Sequence, residues 1–590
     1  MSWTWDLSPL YRDFDDPQIT LDIERLKALV EETEGCLCGD ETTALEAVCD
    51  AFESISTTIG KLYNFSSLTL ATDAENSKAQ MLQDQLMLFS VRISLLNSAY
   101  IRYLGHIEDL PSIIAKSEKL QSVSFSLLRD RRAAAHLMDE GTEEWIRKMS
   151  LTGSDAFSTL RDKLDATLTV DVAGETMPLS AARALAYDPD AAVRKAAYAG
   201  ELAAYEKIDL AMAACLNSIK GEAQTLAEAE HFPSILEKTL FNSNMDSETL
   251  SAMLSAMEDA LPAFRRYLRK KAEILGHSNG LPFYDLFAPV TPPGFTPKVY
   301  SIEEAREKLV HELSKFSPEM GAFIQNAFDS RWIDVFPREG KSGGAFCAGI
   351  HGLGISRILT NFAGSFSDVS TLAHELGHAW HNRCMLGLPA CMTDAPMPLA
   401  ETASIFNETL LSNAVLADAG REERLSLLES SLMETTQTIV DIYSRFLFES
   451  EVIERRKSHT LPVDELKQIM LDAQEKAYGN GLDPVLRHPY MWACKSHYYS
   501  ANFNFYNFPY AFGQLFGAGV YALYQQEGPA FVERYNTLLR LCGSMNVADV
   551  AASVGIDVRS KAFWLSSLQV YTRMIDEFIA LADELYPKQN

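Results

Sequence analysis

A chain of 590 residues, 47% of them apolar and 22% charged, can bury a large core and has room for more than one domain. Its formal net charge of −28 repels polyanions and argues against a nucleic-acid partner. There is no apolar run of about 18 residues or more, which argues against a membrane span, and the opening MSWTWDLSPLYRDFDD lacks the basic start and apolar stretch of a signal peptide. Nine scattered cysteines point to reduced thiols and a cytoplasmic setting. Within them, Cys36-Leu-Cys38 is too tightly spaced for the usual zinc pair.

In chain order, the pattern from about residue 17 to 190 predicts helices. Ser77–Ile113 carries apolar residues at three- and four-residue spacing with few interruptions. Val170–Met177 reads as a short turn between extended pieces. Asp188-Pro-Asp190 then breaks the pattern, and a domain boundary is expected there, giving an N-terminal helical domain at 1–190 and a second domain at 191–590. Helices are expected over Ala191–Ala229, over Asp246–Gly276 with Gly276 as the stop, and over Ser301–Ala327. The Pro- and aromatic-rich Leu281–Pro297 is an irregular connection. Trp332–Phe366 is rich in glycine and is the place for a small sheet, with strands near Ala345–Cys347 and Ile355–Phe362. The remainder of the chain reads as mainly α.

After the small sheet comes Thr371-Leu-Ala-His-Glu-Leu-Gly-His-Ala-Trp380. On a helix starting near Ser367-Asp368, His374 and His378 stand one turn apart on one face, so both imidazoles can reach one metal ion. Glu375 borders that face, where it can hold a water. Two neutral imidazoles and a nearby carboxylate base are what zinc-assisted peptide hydrolysis requires. A third ligand is needed. His381 lies about 10.5 Å further along the axis than His374, at 1.5 Å per residue, too far for one ion to bind both and His378. Glu401 is the better candidate. The segment Pro398–Glu408 is helical in pattern, its apolar residues wrap most of the circumference, and Glu401, Ile405 and Glu408 fall on one stripe. Buried carboxylates need a cation or several donors; Glu401 fits as a zinc ligand, and Glu408 as acceptor for a ligand histidine's N–H.

The chain resembles the thimet oligopeptidase and oligoendopeptidase F family of zinc peptidases, oligoendopeptidase F most of all in order and length. The resemblance is carried by GKSGGAFCAG (340–349), ISRILTNFAGSFSDVSTLAHELGHAWH (355–381), AETASIFNETLL (400–411), MWACKSHYY (491–499), NFYNFPYAFG (504–513) and the opening WDLSPLY (5–11). It implies that His374, His378 and Glu401 hold one Zn2+ ion, that Glu375 is the general base, and that 191–590 is the catalytic metallopeptidase domain. It also implies an elongated, mainly helical zincin, with a small sheet beside the active helix and a deep channel admitting oligopeptide substrates; periodicity supports only the helical part. By the family pattern His497 would contact substrate near the scissile bond, and Tyr506 and Tyr510 would donate to the carbonyl oxygen. Phe508 stands where family sequences often have Tyr, which leaves the division of labour between the tyrosines open.

The expected activity is thus a zinc-dependent endopeptidase acting on short peptides. A catalytically silent peptide-binding protein on the same scaffold and a related zinc carboxypeptidase are the alternatives. The Gly-x-Met-Glu-Asn signature of one aminopeptidase class is absent. The glycine-rich 340–364 stretch could offer an extended edge to a peptide main chain.

Overall fold

The computed structural model describes residues 3–587 apart from Cys38 and Pro293, so the Cys36–Cys38 spacing lies outside the described residues. The chain is mainly α, with one two-stranded and one three-stranded sheet among the described residues. None of the described helices is long and apolar enough to cross a membrane. It gathers into two compact units, each assembled from three stretches: residues 1–137, 297–415 and 520–555 in the first, 138–296, 416–519 and 556–590 in the second. The linear division at 190 coincides with neither unit's limits. The helices on both sides of Asp188-Pro-Asp190 belong to the second unit, because contacts distant in sequence, rather than the local break, decide compactness.

In the first unit the three-stranded sheet has the order Ile333–Asp334, Ile355–Leu359, Phe346–Ile350, with a parallel and an antiparallel pairing. Ile355–Leu359 is central and buried from Ser356 onward, as expected of a strand covered on both faces. Ile350 and Leu359 pack with Trp5, Tyr11, Leu62, Phe65 and Leu86 from the N-terminal segment and the helices Glu41–Thr72 and Ser77–His106. The opening WDLSPLY is structural: the carbonyl of Asp6 accepts from the buried Arg357 guanidinium at 2.8 Å. The helix Phe366–Cys384 also packs on this sheet.

In the second unit the long helices Ser247–Ile274 and Lys561–Leu585 form the main pair, with Tyr267 edge-on to Phe578 at 5.3 Å. The first of them ends before Gly276, whose φ of +85° is the left-handed turn a glycine stop provides. The expected turn at Val170–Met177 is a hairpin, Thr169–Val172 against Glu175–Pro178. The helical run expected over Ala191–Ala229 is the two helices Ala191–Tyr205 and Asp209–Ala229, and in the first unit the run expected over Ser301–Ala327 is Ile302–Phe316 followed by Pro318–Asp329. The second break falls at Pro318, which cannot continue a helix but starts one well.

Candidate metal centre and its surroundings

The helix Phe366–Cys384 begins two residues earlier than the sequence predicts. Ser365 is the N-cap, its hydroxyl accepting from Asp368 N at 3.1 Å, while Asp368 accepts in return from Ser365 N at 2.9 Å. Such a capping box contributes about 0.5–2 kcal/mol. Val369, Leu372, Leu376 and Trp380 are buried, which fixes the helix's rotation and leaves His374 and His378 together on another face.

Three donor atoms converge there. His374 Nε2 lies 3.2 Å from His378 Nε2 and 3.2 Å from Glu401 Oε2, and His378 Nε2 is 3.4 Å from that same oxygen. Among the described residues this is the one group of three potential ligands within reach of a single ion. Tetrahedral ligands at about 2.0–2.1 Å from zinc stand about 3.3–3.4 Å apart, so the spacing fits that coordination without rearrangement. Glu408 completes the support: its carboxylate lies 2.6 Å from His374 Nδ1, and a bond donated by Nδ1–H makes Nε2 the nitrogen that can ligate a metal. Burial disfavours a charged His374, but hydrogen bonding to Glu401 and Glu408 outweighs it and pushes the imidazole up to about 10. Two carboxylates thus face the His374 ring, at 3.2 Å and 2.6 Å, a setting that favours a cation. Burial opposes ionisation of Glu401 too, yet the two histidines hold it well below the usual carboxylate range.

Glu375 is 5% exposed, and its Oε2 is fully buried without a hydrogen-bond partner. Burial raises its carboxyl above the usual range against the pull of His374 and His378. His381 stays apart from the donors, as the axial distance requires. It is buried, its Nε2–H donates to the Leu539 carbonyl at 3.1 Å, and burial followed by the neighbouring His378 pushes it down to about 4.

Glu401 is not inside a continuous helix as its apolar surroundings predict. It stands at the junction of the short helix Met397–Ala400 and the helix Thr402–Asp418. Three residues that sequence reasoning passed over hold this junction. Ser404 Oγ donates to Glu401 Oε2 at 2.8 Å and contacts its carbonyl at 3.0 Å. Asn407, fully buried, donates to the Ala373 carbonyl at 3.3 Å. Gly377 lets the two helices touch: a Cβ there would lie 2.5 Å from Ala403 O and 2.6 Å from Ser404 Cα. Only Gly377 left a signal, as a glycine in mid-helix. Because the obstructing atoms are backbone, Gly377→Ala is expected to destabilise the protein by about 1–3 kcal/mol and to weaken metal retention by shifting Glu401. An unchanged denaturant midpoint would show that the helices can part freely.

A cavity of about 420 Å³ opens on these groups, lined by His374, Glu375, His378 and Glu401 and by Ala345, Phe346, Cys347 and Gly349 of the sheet's edge strand and its approach.

His497, Tyr506 and Tyr510 form a separate cluster within the second unit. His497 lies in the turn Ser496–Tyr498 and stacks on Tyr506, ring centroids 4.9 Å apart. Burial, then the charges of Arg445 and Lys495, lower its pKa and favour the neutral ring. Tyr506 sits in a turn, while Tyr510 is in the first turn of the helix Phe508–Glu527. Their hydroxyls are nevertheless 3.4 Å apart.

A mainly helical chain that brings two histidines and a glutamate together from His-Glu-x-x-His and a later junction of two helices has the frame of a metallopeptidase. Residues 184–570 match the sequence profile of peptidase family M3, and residues 106–169 match that of Oligopeptidase F. The chain is 24% identical over 608 aligned positions to an oligoendopeptidase F homolog of Lactococcus lactis, covering 98% of this chain and 97% of that one. It is 23% identical to the oligopeptidase PepF of Bacillus subtilis, over 88% of this chain and 78% of that one. The crystal structure of oligoendopeptidase-F from Enterococcus faecium superposes with a TM-score of 0.71 at 19% identity, covering 96% of this chain and 99% of that one; this likeness is one of fold. The chain belongs to peptidase family M3 and is a metalloendopeptidase.

Proposed function

We propose that the chain is a zinc-dependent endopeptidase of short oligopeptides, with His374, His378 and Glu401 as metal ligands and Glu375 as general base. The observation that carries this reading is the convergence of three lone-pair atoms at tetrahedral spacing beside the buried, unpaired oxygen of Glu375. A zinc ion there supplies Lewis acidity, polarising a carbonyl and bringing the pKa of a water molecule down to about 7. Glu375 takes the proton of the attacking water and passes it to the leaving amine; its raised affinity for protons suits both halves of that task. Glu408 keeps His374 in the Nδ1–H tautomer, and Ser404 holds the Glu401 carboxylate. Tyr506 and Tyr510 donate hydrogen bonds to the developing oxyanion, and neutral His497 contacts the substrate beside them. The edge strand Phe346–Ile350 is suited to pair with a peptide main chain. Oligopeptides as the substrate class follow from the names of the relatives. A cytoplasmic setting belongs to the same reading and is supported by the eight described cysteines, all free.

Metal analysis combined with cleavage-site mapping on a mixed peptide library tests the reading. Stoichiometric zinc and internal cleavage of short peptides are expected. Release of C-terminal residues alone would make the chain a carboxypeptidase, and absence of cleavage by the zinc-loaded protein would make it a silent binder. Tyr510→Phe should lower kcat by roughly 10²–10³ with little change in KM, and an unchanged kcat would remove Tyr510 from the chemistry.

A further inference from the structure

Beneath the turn that carries Tyr506, the second unit buries charges that the proposed chemistry does not use. Asp441 ends a π-helical turn, Gln437–Asp441, and the helix Ile442–Arg456 follows. Asp441, Arg445 and Glu449 are four residues apart and share one helix face. Lys220 reaches the same region from the helix Asp209–Ala229. Lys220, Asp441 and Glu449 are all at most 4% exposed.

The two cations make parallel sets of bonds. Lys220 Nζ donates to Glu449 Oε1 at 2.7 Å and to Asn504 Oδ1 at 2.6 Å. Arg445 Nε donates to Asp441 Oδ2 at 2.7 Å, and its Nη1 donates to Asn507 Oδ1 at 3.0 Å. The Tyr478 hydroxyl donates to the remaining Asp441 oxygen at 3.1 Å. Each cation thus bonds one carboxylate on the helix and one asparagine of the turn.

Between those asparagines, Phe505 has a φ of +53°, in the left-handed region. That costs an aromatic residue about 1–3 kcal/mol and persists only where the surroundings enforce it. Its ring is buried against Phe446 at 5.2 Å. From Asn504 to Pro509, Tyr506 is the one residue that is not buried. The turn is pinned inward on both sides of the single side chain it leaves accessible. Stability alone does not account for these buried ions, since apolar replacements of such pairs are often neutral or stabilising. Ions do, however, fix the direction of each hydrogen bond, which apolar packing cannot.

We propose that Lys220 and Arg445 are positioning residues for the peptidase reaction, acting through Asn504 and Asn507 to hold the strained turn that presents the Tyr506 hydroxyl. The proposal rests on the reading of Tyr506 as an oxyanion donor.

Asn507→Leu removes the acceptor while keeping similar volume and leaves the Arg445–Asp441 pair intact. In the zinc-loaded enzyme it is expected to lower kcat on a fluorogenic oligopeptide about 10- to 100-fold, the scale of a displacement near 1 Å, with KM within about twofold and metal content unchanged. Asn507→Asp, which keeps an acceptor facing Arg445, should recover most of the loss. In a Tyr506→Phe background Asn507→Leu should lose most of its effect, because the group it chiefly positions is already gone and only its contact with His497 remains. Equal losses from Asn507→Leu with and without the Tyr506 hydroxyl, or no rescue by aspartate, would show a merely structural role and overturn the proposal. If Tyr506→Phe lowers kcat and Asn507→Leu does not, the positioning role alone falls. If Tyr506→Phe leaves kcat unchanged, the donor reading falls and takes the proposal with it. Asn507→Ala gives the same comparison should the leucine variant not fold.

Discussion

Glu375→Gln is expected to abolish peptide turnover while leaving the metal in place. Glutamine keeps the size of the side chain and the apolar fit of its stem but cannot accept the proton of an attacking water. General-base catalysis contributes roughly 10²–10⁴ in rate, so kcat/KM should fall at least about a hundredfold. Metal content should hold because Glu375 is outside the group of three converging donors. Thermal stability should not suffer either, since the variant replaces an acid whose Oε2 is buried without a partner and whose ionisation burial already opposes. Parallel kinetics and metal analysis check both halves. Turnover within tenfold of the parent would return Glu375 to a packing role.

Glu401→Ala carries the second large effect, and its first readout is metal content rather than rate. The two imidazoles alone leave a site one ligand short of the three that catalytic zinc ordinarily takes from protein. Glu408→Ala is the informative comparison, because Glu408 touches His374 only through Nδ1. Loss of such an outer partner typically weakens metal binding by about 10- to 100-fold, and loss of Glu401 should exceed that. After chelation and re-equilibration at limiting zinc, the parent should reload fully, the Glu408 variant partly and the Glu401 variant least. Parental affinity in Glu401→Ala would take it out of the ligand set. Chelation of the parent should abolish activity, and zinc should restore it.

What could be read from the sequence was local. The spacing of His374, Glu375 and His378 follows from helical periodicity, and so do the buried positions Val369, Leu372, Leu376 and Trp380. The helix start was displaced by two residues because Ser365 and Ser367 offer the same capping chemistry; Asp368 at the third position of the box selects Ser365. Apolar periodicity runs across the junction at Glu401 and predicts a continuous helix there, while the bond from Ser404 that marks the break is a matter of side-chain geometry. Pro509, next to Tyr510, reads in the sequence as a helix breaker. It instead sits in the first turn of Phe508–Glu527, where a missing N–H goes unnoticed. The bonds of Asn507 to Arg445 and Asn504 to Lys220 join residues 62 and 284 positions apart, and no window along the chain could contain them. The division into units was hidden for the same reason.

The interleaving of those units has a consequence for biosynthesis. The C-terminal half of the helix that bears His374 and His378 is held by the Leu539 carbonyl, which accepts from His381, and by Asn536, which accepts from the Trp380 indole. A ribosome adding about 5–20 residues per second needs on the order of ten seconds to travel from Glu401 to that stretch. During that interval all three prospective metal ligands have been synthesised, but the first unit still lacks its last segment, 520–555. A nascent chain in this state carries the three groups without the contacts that Asn536 and Leu539 supply. Metal loading is therefore expected to await completion of the polypeptide, and chains truncated before about residue 540 should accumulate as metal-poor, protease-sensitive species rather than as partial enzymes.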